Sequence, residues 1–224
     1  MRRALKNNGL SLFFGVIFLL ALGGQSVVGR ANYNEQQRIK GRAEVTYTEY
    51  VTSSDFAVDV TENWQSEYLQ FLLYILATVW LVQRGSPESK ELDEAGMHSD
   101  AREKIGKSAT ADSPKWARVG GVRTRIYAWS LTILMGTLFF ASWGAQSVAG
   151  LARYNEERLA DQLTPVAWTD YVTAPDFWSR TLQNWQSEFL AVGSMVVFSI
   201  YLRQRGSPES KPVGASHAAT ADTD

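Results

Sequence analysis

At 224 residues, with 22 lysines and arginines against 23 acids, the chain is long enough for one or two domains and carries a net charge of only −1. A nucleic-acid surface would need a basic excess that is missing here, and the absence of cysteine removes disulfides, thiolate metal sites and a cysteine nucleophile together. The average hides four apolar blocks separated by charged segments, which a window the length of a bilayer crossing recovers.

The first block, Leu10 to Val28, carries no charge over 19 residues and follows the basic start Arg2, Arg3 and Lys6. Its length predicts one membrane-spanning helix. A cleaved signal peptide fits the same pattern, with small residues from Ala21 to Gly24. The third block, Ile126 to Val148, repeats it in mid-chain after Arg123 and Arg125, where no signal peptide stands, so a retained first helix is expected.

Each of these blocks is followed by a polar segment of about 40 residues and then a second apolar run, Tyr68 to Val82 or Phe189 to Leu202. Those runs are short of a full crossing unless the helices begin earlier. Ser53 or Ser54 before Asp55, and Thr173 before Pro175 and Asp176, supply N-cap signals that start them near residues 55 and 176. A helix over 55–84 would reach roughly 45 Å, so its first turns extend beyond the hydrocarbon. Trp64 and Trp185 stand where interfacial aromatic anchors belong, and Arg84 and Arg205 anchor the other end by snorkelling. Gly85 and Gly206, with Pro87 and Pro208 two residues later, predict a glycine-type helix stop.

The two halves align without a gap at a constant offset of 121 residues, from Gln25 with Gln146 to Lys90 with Lys211. Of the 66 aligned positions 30 are identical, too many for shared membrane composition, so the chain reads as a tandem duplication. Identities gather in Gln-Ser-Val, Tyr-Asn-Glu, Tyr-Val-Thr, Asn-Trp-Gln-Ser-Glu and Gln-Arg-Gly-Ser-Pro-Glu-Ser-Lys, while Gln70–Trp80 and Ala191–Tyr201 share only apolar character. The start, the segment 83–125 and the end from residue 203 hold 15 lysines and arginines; the two intervening loops hold 7. The positive-inside rule therefore puts both termini and the linker in the cytoplasm. Two crossings per copy make the repeats parallel, with any pseudo-symmetry axis along the membrane normal.

Four residues are candidate intramembrane polar pairs: Gln25 with Glu67, and Gln146 with Glu188. Each glutamine and its glutamate reach the same depth from opposite chain directions. An amide donating to a carboxylate there would tie each hairpin, at about 0.6–2 kcal/mol per bond. The alternative is an ion or proton path, since Asn63, Glu67, Gln70, Tyr74 and Thr78 share one helix face. The equivalent face of the second copy is Asn184, Glu188, Ala191, Met195 and Ser199, which interrupts such a path. Small residues at four-residue spacing, Ala141, Ala145 and Ala149, add a close-packing face. His98 and His217 sit in polar surroundings and are expected to be solvated and unligated. With no Ser-His-Asp arrangement, metal-ligand cluster or nucleotide fingerprint, no catalytic residue, metal or cofactor is expected, and the chain is not expected to be an enzyme.

The stretches Asn8-Gly9-Leu10-Ser11, Gly24-Gln25-Ser26, Tyr33-Asn34-Glu35, Asn63-Trp64-Gln65-Ser66-Glu67 and Gln83 to Lys90 resemble a family of small bacterial integral membrane proteins of unknown function. The second half departs at its start, where Trp129-Ser130-Leu131-Thr132 replaces Asn-Gly-Leu-Ser. The resemblance implies a bacterial cell-membrane protein with four crossings and implies no activity.

The expected fold is therefore all-α transmembrane: four membrane-spanning helices arranged as two parallel-repeat helical hairpins with long outward extensions. Residues 1–90 form the first repeat, 91–121 a disordered cytoplasmic linker, 122–211 the second repeat and 212–224 a disordered cytoplasmic tail. The expected function is a structural or interaction component of the membrane, partnered by the lipid bilayer and by a second copy or another membrane protein. A small oligomeric transporter or channel using Glu67 and Glu188 is the alternative.

Overall fold

We describe residues 7–221 of a computed structural model. Arg2, Arg3 and Lys6 of the basic start, and the last three residues of the tail, lie outside the described residues. Among the described residues the chain is all-helical. The helices are α1 Gly9–Ile39, α2 Tyr47–Val51, α3 Ser54–Trp80, α4 Lys115–Arg118, α5 Gly121–Ala128, α6 Ser130–Ala160, α7 Trp168–Tyr171 and α8 Pro175–Tyr201, with 3₁₀ turns at Leu92–Glu94 and Gly106–Ser108. The bounds of α6 and α8 are those of α1 and α3 shifted by 121 residues.

Of these helices, α1 and α6 are long and apolar enough to cross a membrane. Helices α3 and α8 are long enough, but their first halves carry Asp55, Asp59, Glu62 and Glu67, or Asp176, Arg180 and Glu188, so the uninterrupted apolar part is only the second half.

The ends of the long helices follow from local chemistry. Helix α1 stops in a Schellman motif: Gly41 sits at φ 67°, its N–H donates to Arg38 O at 3.0 Å, and Arg42 N–H donates to Gln37 O at 2.8 Å. Helix α6 closes in the same way through Leu163 N–H and Arg158 O at 2.7 Å, but with Gln162 in the left-handed position at φ 61°. Ser53 caps α3, accepting from Phe56 N–H at 3.2 Å. Helix α8 begins with Pro175 at its first turn and Asp176 beside it, and its N-cap is Ala174 rather than Thr173.

The glycine stop is displaced from its expected place. Helix α3 ends at Trp80 and α8 at Tyr201, so Gly85 (φ 87°) and Gly206 (φ 85°) lie in separate turns five residues further on. The last turn of α3 is closed instead by groups distant in sequence, with Gly96 N–H donating to Val79 O at 2.7 Å.

The chain divides into two compact units. Unit one is Met1–Thr61 with Ala145–Tyr171; its buried side chains include Tyr50, Val58, Tyr171, Ser26, Asn34 and Gln146. Unit two is Glu62–Gly144 with Val172–Asp224, and buries Leu69, Phe139, Phe177, Ile200, Gln65 and Ser66. Residues 91–121, expected to be a disordered linker, carry hydrogen-bonded turns in unit two: Arg102 pairs with Glu94 at 2.6 Å and Thr124 Oγ1 donates to Trp116 O at 2.7 Å. The tail, also expected to be disordered, is held to the first copy's Gly85 loop. Gly85 N–H donates to Thr220 Oγ1 at 2.9 Å and Ala221 N–H to Ser86 O at 3.1 Å.

Candidate functional site

In unit one the repeated residues of α1 form a receiving stripe. Ser26, Gly29 and Tyr33 recur at three-to-four spacing on one helix face, with Asn34 beside Tyr33. Asn34 donates from Nδ2 to Val45 O at 3.0 Å and accepts from Val45 N–H at 2.9 Å, which turns the chain back along the helix. Tyr47 Oη then lies 2.8 Å from Ser26 Oγ, and the Tyr50 ring lies across Gly29 with its centroid 5.7 Å from that of Tyr33. Thr46 and Glu49 form a capping box that fixes α2, and those bonds hold the Glu49 carboxyl below the usual range. Burial, reinforced by Asp59, pushes the Tyr50 phenol up, so it remains a neutral donor.

Helix α6 repeats the stripe with Ser147, Gly150, Tyr154 and Asn155. Asn155 makes the same reciprocal bonds to Val166 at 3.0 and 2.9 Å, Trp168 Nε1 donates to Ser147 Oγ at 3.1 Å, and Tyr171 lies across Gly150. The Gln-Ser-Val, Tyr-Asn-Glu and Tyr-Val-Thr identities are thus two copies of one clamp.

In unit two, Gln65 is fully buried and accepts from Trp185 Nε1 at 2.9 Å. Arg180 donates to Glu62 at 3.0 Å and lies 3.8 Å from Asp176. The Gln65–Trp185 and Glu62–Arg180 bonds each join a residue of α3 to a residue of α8. Ser66 Oγ donates to Asn63 O at 2.9 Å, and Glu67 lies near enough to Glu188 for their charges to interact. Trp143 anchors an aromatic cluster, with ring centroids 5.5 Å from Phe139 and 6.1 Å from each of Phe177, Trp178 and Trp185.

The Gln-Arg-Gly-Ser-Pro-Glu-Ser-Lys loops are self-bonded caps. Gln83 N–H donates to Ser89 Oγ at 2.7 Å, and Gln204 N–H to Ser210 Oγ at 2.9 Å. Their lysines fill backbone carbonyl cages. Lys90 Nζ donates to Gly96 O at 2.7 Å and to Val79 O at 3.4 Å. Lys211 is buried and donates to Gly85, Ser216, His217 and Ala219 carbonyls at 2.5–3.1 Å. Burial, then the nearby Arg203, pushes its ammonium down. Glu88, equivalent to Glu209 in the other loop, raises the Glu209 carboxyl; Tyr74 Oη donates to Glu88.

Of the residues singled out from sequence, Glu67 and Glu188 meet in unit two, while Gln25 and Gln146 belong to unit one. Gln146 is fully buried. Trp64 is exposed, whereas the indole of Trp185 is spent on Gln65. Arg84 and Arg205 are exposed. The histidines are engaged rather than solvated: His98 Nδ1 lies 3.0 Å from Glu103 and His217 Nδ1 lies 3.1 Å from Ile200 O. Sequence reasoning missed the aromatic cluster, whose signal was the density of Phe and Trp in the second copy only, and the Glu62–Arg180 pair.

No curated protein and no solved structure matches the chain. A family model described as a domain of unknown function, DUF6766, matches residues 1–222. That match runs through both clamps, both cap loops and everything between them, and the chain belongs to the DUF6766 family.

Proposed function

We propose that the protein is a multi-pass component of the bacterial cell membrane with a structural or interaction role, built by tandem duplication and catalysing no reaction. In this reading α1, α3, α6 and α8 are four crossings forming two parallel hairpins, and the termini and residues 91–121 are cytoplasmic. The observation that carries it is the surface of α1: only 6% of its most apolar window is buried against the protein, and Leu10, Phe13, Phe14, Leu19 and Leu20 are exposed. A core helix of a water-soluble domain would bury that face; a contiguous apolar surface of this extent calls for lipid or a membrane partner. The role is supported by the repeated polar residues, whose hydrogen bonds serve clamps and caps. The bilayer and a second copy or another membrane protein are the partners.

Thr46 and Ser108 are both exposed. In this cysteine-free chain, Thr46→Cys should be labelled in intact cells by an impermeant thiol reagent and Ser108→Cys only after lysis. The reverse pattern overturns the orientation, and equal labelling of both in intact cells overturns the crossing between them.

The meeting of Glu67 with Glu188 favours a second reading, a small oligomeric transporter or channel. It expects the protein in liposomes to pass protons or monovalent cations, and Glu67→Gln to abolish that flux while leaving the fold intact. A Glu67→Gln protein with unchanged flux, or a wild type without flux, rejects it.

A further inference from the structure

A cavity of about 690 Å³ opens in unit two beside the turns of residues 91–121. That volume is in the range of small-molecule sites. One wall is apolar, made by Ile75, Leu76 and Val79 of α3 and Leu131 of α6; Tyr127 and Trp129 edge it. The lining also contains His98, with charged and apolar residues of the segment 96–117. The His98 ring is held by Nδ1, 3.0 Å from the Glu103 carboxylate. A carboxylate only accepts, so Nδ1 carries the proton, and a neutral ring keeps its lone pair on Nε2. That Nε2 is buried and has no hydrogen-bond partner. A buried polar atom left unsatisfied is a cost that a ligand donor can relieve.

We propose that this cavity binds a lipophilic alcohol, a hydrocarbon body bearing one hydroxyl, with the hydroxyl donating to His98 Nε2 and the hydrocarbon lying against α3 and α6. The formal charges of the walls select the head group. Asp100, Glu103 and Asp112 outnumber Lys90 and Lys104, and Lys90 is already engaged by the Gly96 and Val79 carbonyls. An anionic head is therefore disfavoured, and a cationic head would be drawn to the carboxylates before the imidazole. Glu103 acts as a positioning residue, since its bond to Nδ1 fixes which nitrogen keeps the lone pair. Every lining residue lies within unit two.

The chain has only two histidines, which makes the test direct. Full-length protein with ¹⁵N-labelled histidine, in lipid nanodiscs, is titrated with dodecan-1-ol, with dodecane and dodecanoate as comparators. The alcohol should move the His98 Nε2 resonance saturably from its lone-pair position and leave His217 in place. Dodecane should bind at least tenfold more weakly. His98→Phe should weaken alcohol binding about tenfold, and Thr132→Trp, which fills the cavity, should abolish it. An unmoved His98 Nε2 at saturating alcohol, equal binding of alkane and alcohol, or tighter binding of the carboxylate overturns the proposal. Failure of the protein to enter nanodiscs at all concerns the membrane reading instead, and the same titration is then run in aqueous buffer.

Discussion

Replacing Gly29 or Gly150 with alanine should destabilise the protein by about 1–3 kcal/mol, the usual penalty for overpacking. In isolation a helical glycine-to-alanine change gains up to about 1 kcal/mol of helix propensity. Here the added methyl group would run into the Tyr50 or Tyr171 hydroxyl, with further ring carbons at 3.1 and 3.3 Å for Gly29 and 3.0 and 3.2 Å for Gly150. Both tyrosines are almost wholly buried, 3% and 1% exposed, so the rings have little room to retreat. The clash therefore outweighs the propensity gain. Thermal unfolding of the purified protein reads the effect, with Gly24→Ala, which meets nothing within 4 Å, as the control expected to be neutral or slightly stabilising. Tyr50→Phe in the Gly29→Ala background should recover part of the loss, because the hydroxyl is the nearest obstacle. A Gly29→Ala protein as stable as wild type would falsify the clamp.

Asn34→Ala and Asn155→Ala should each cost about 1–3 kcal/mol, by stripping partners from a backbone N–H and a carbonyl at once. Asn34 is only 6% exposed, and its side chain bonds both polar groups of Val45; Asn155 does the same for Val166. Amide hydrogen exchange separates this from general loosening. Val45 should lose protection selectively in Asn34→Ala, and Val166 in Asn155→Ala, while amides in the middle of α3 keep theirs. Asn34→Asp retains the acceptor and loses the donor, so it should protect the Val45 amide better than alanine does. Exchange at Val45 that is unchanged in Asn34→Ala means that the reversal of the chain after α1 is held by something else.

The long helices were legible because the apolar blocks, Pro175 and the acids Asp55 and Asp176 are local signals. The positions of α6 and α8 follow from those of α1 and α3 by the offset read in the alignment. What the repeated residues do was not legible. Asn34 bonds a backbone eleven residues away, and Tyr50 finds its glycine across a turn; neither contact has a periodicity in the chain. Gly85 was misread for a related reason. Arginine, glycine and proline in succession resemble a helix end, but α3 stops earlier, where Gly96 and Lys90 both donate to the Val79 carbonyl, and a linear pattern does not say which distant group will do so. The proximity of Glu67 to Glu188 was not legible either. Which α3 residue faces which α8 residue depends on helix packing, not on depth along each helix.

The bond between Arg180 and Glu62 also bears on the history of the chain. Position 59, 121 residues before Arg180, is an aspartate, and position 183, 121 residues after Glu62, is a glutamine. Two first halves brought together in the same way would set acid against acid, and two second halves would set a guanidinium against an amide. At this contact the halves are therefore complementary and not interchangeable: the first supplies the acid, the second the guanidinium, and neither position carries both.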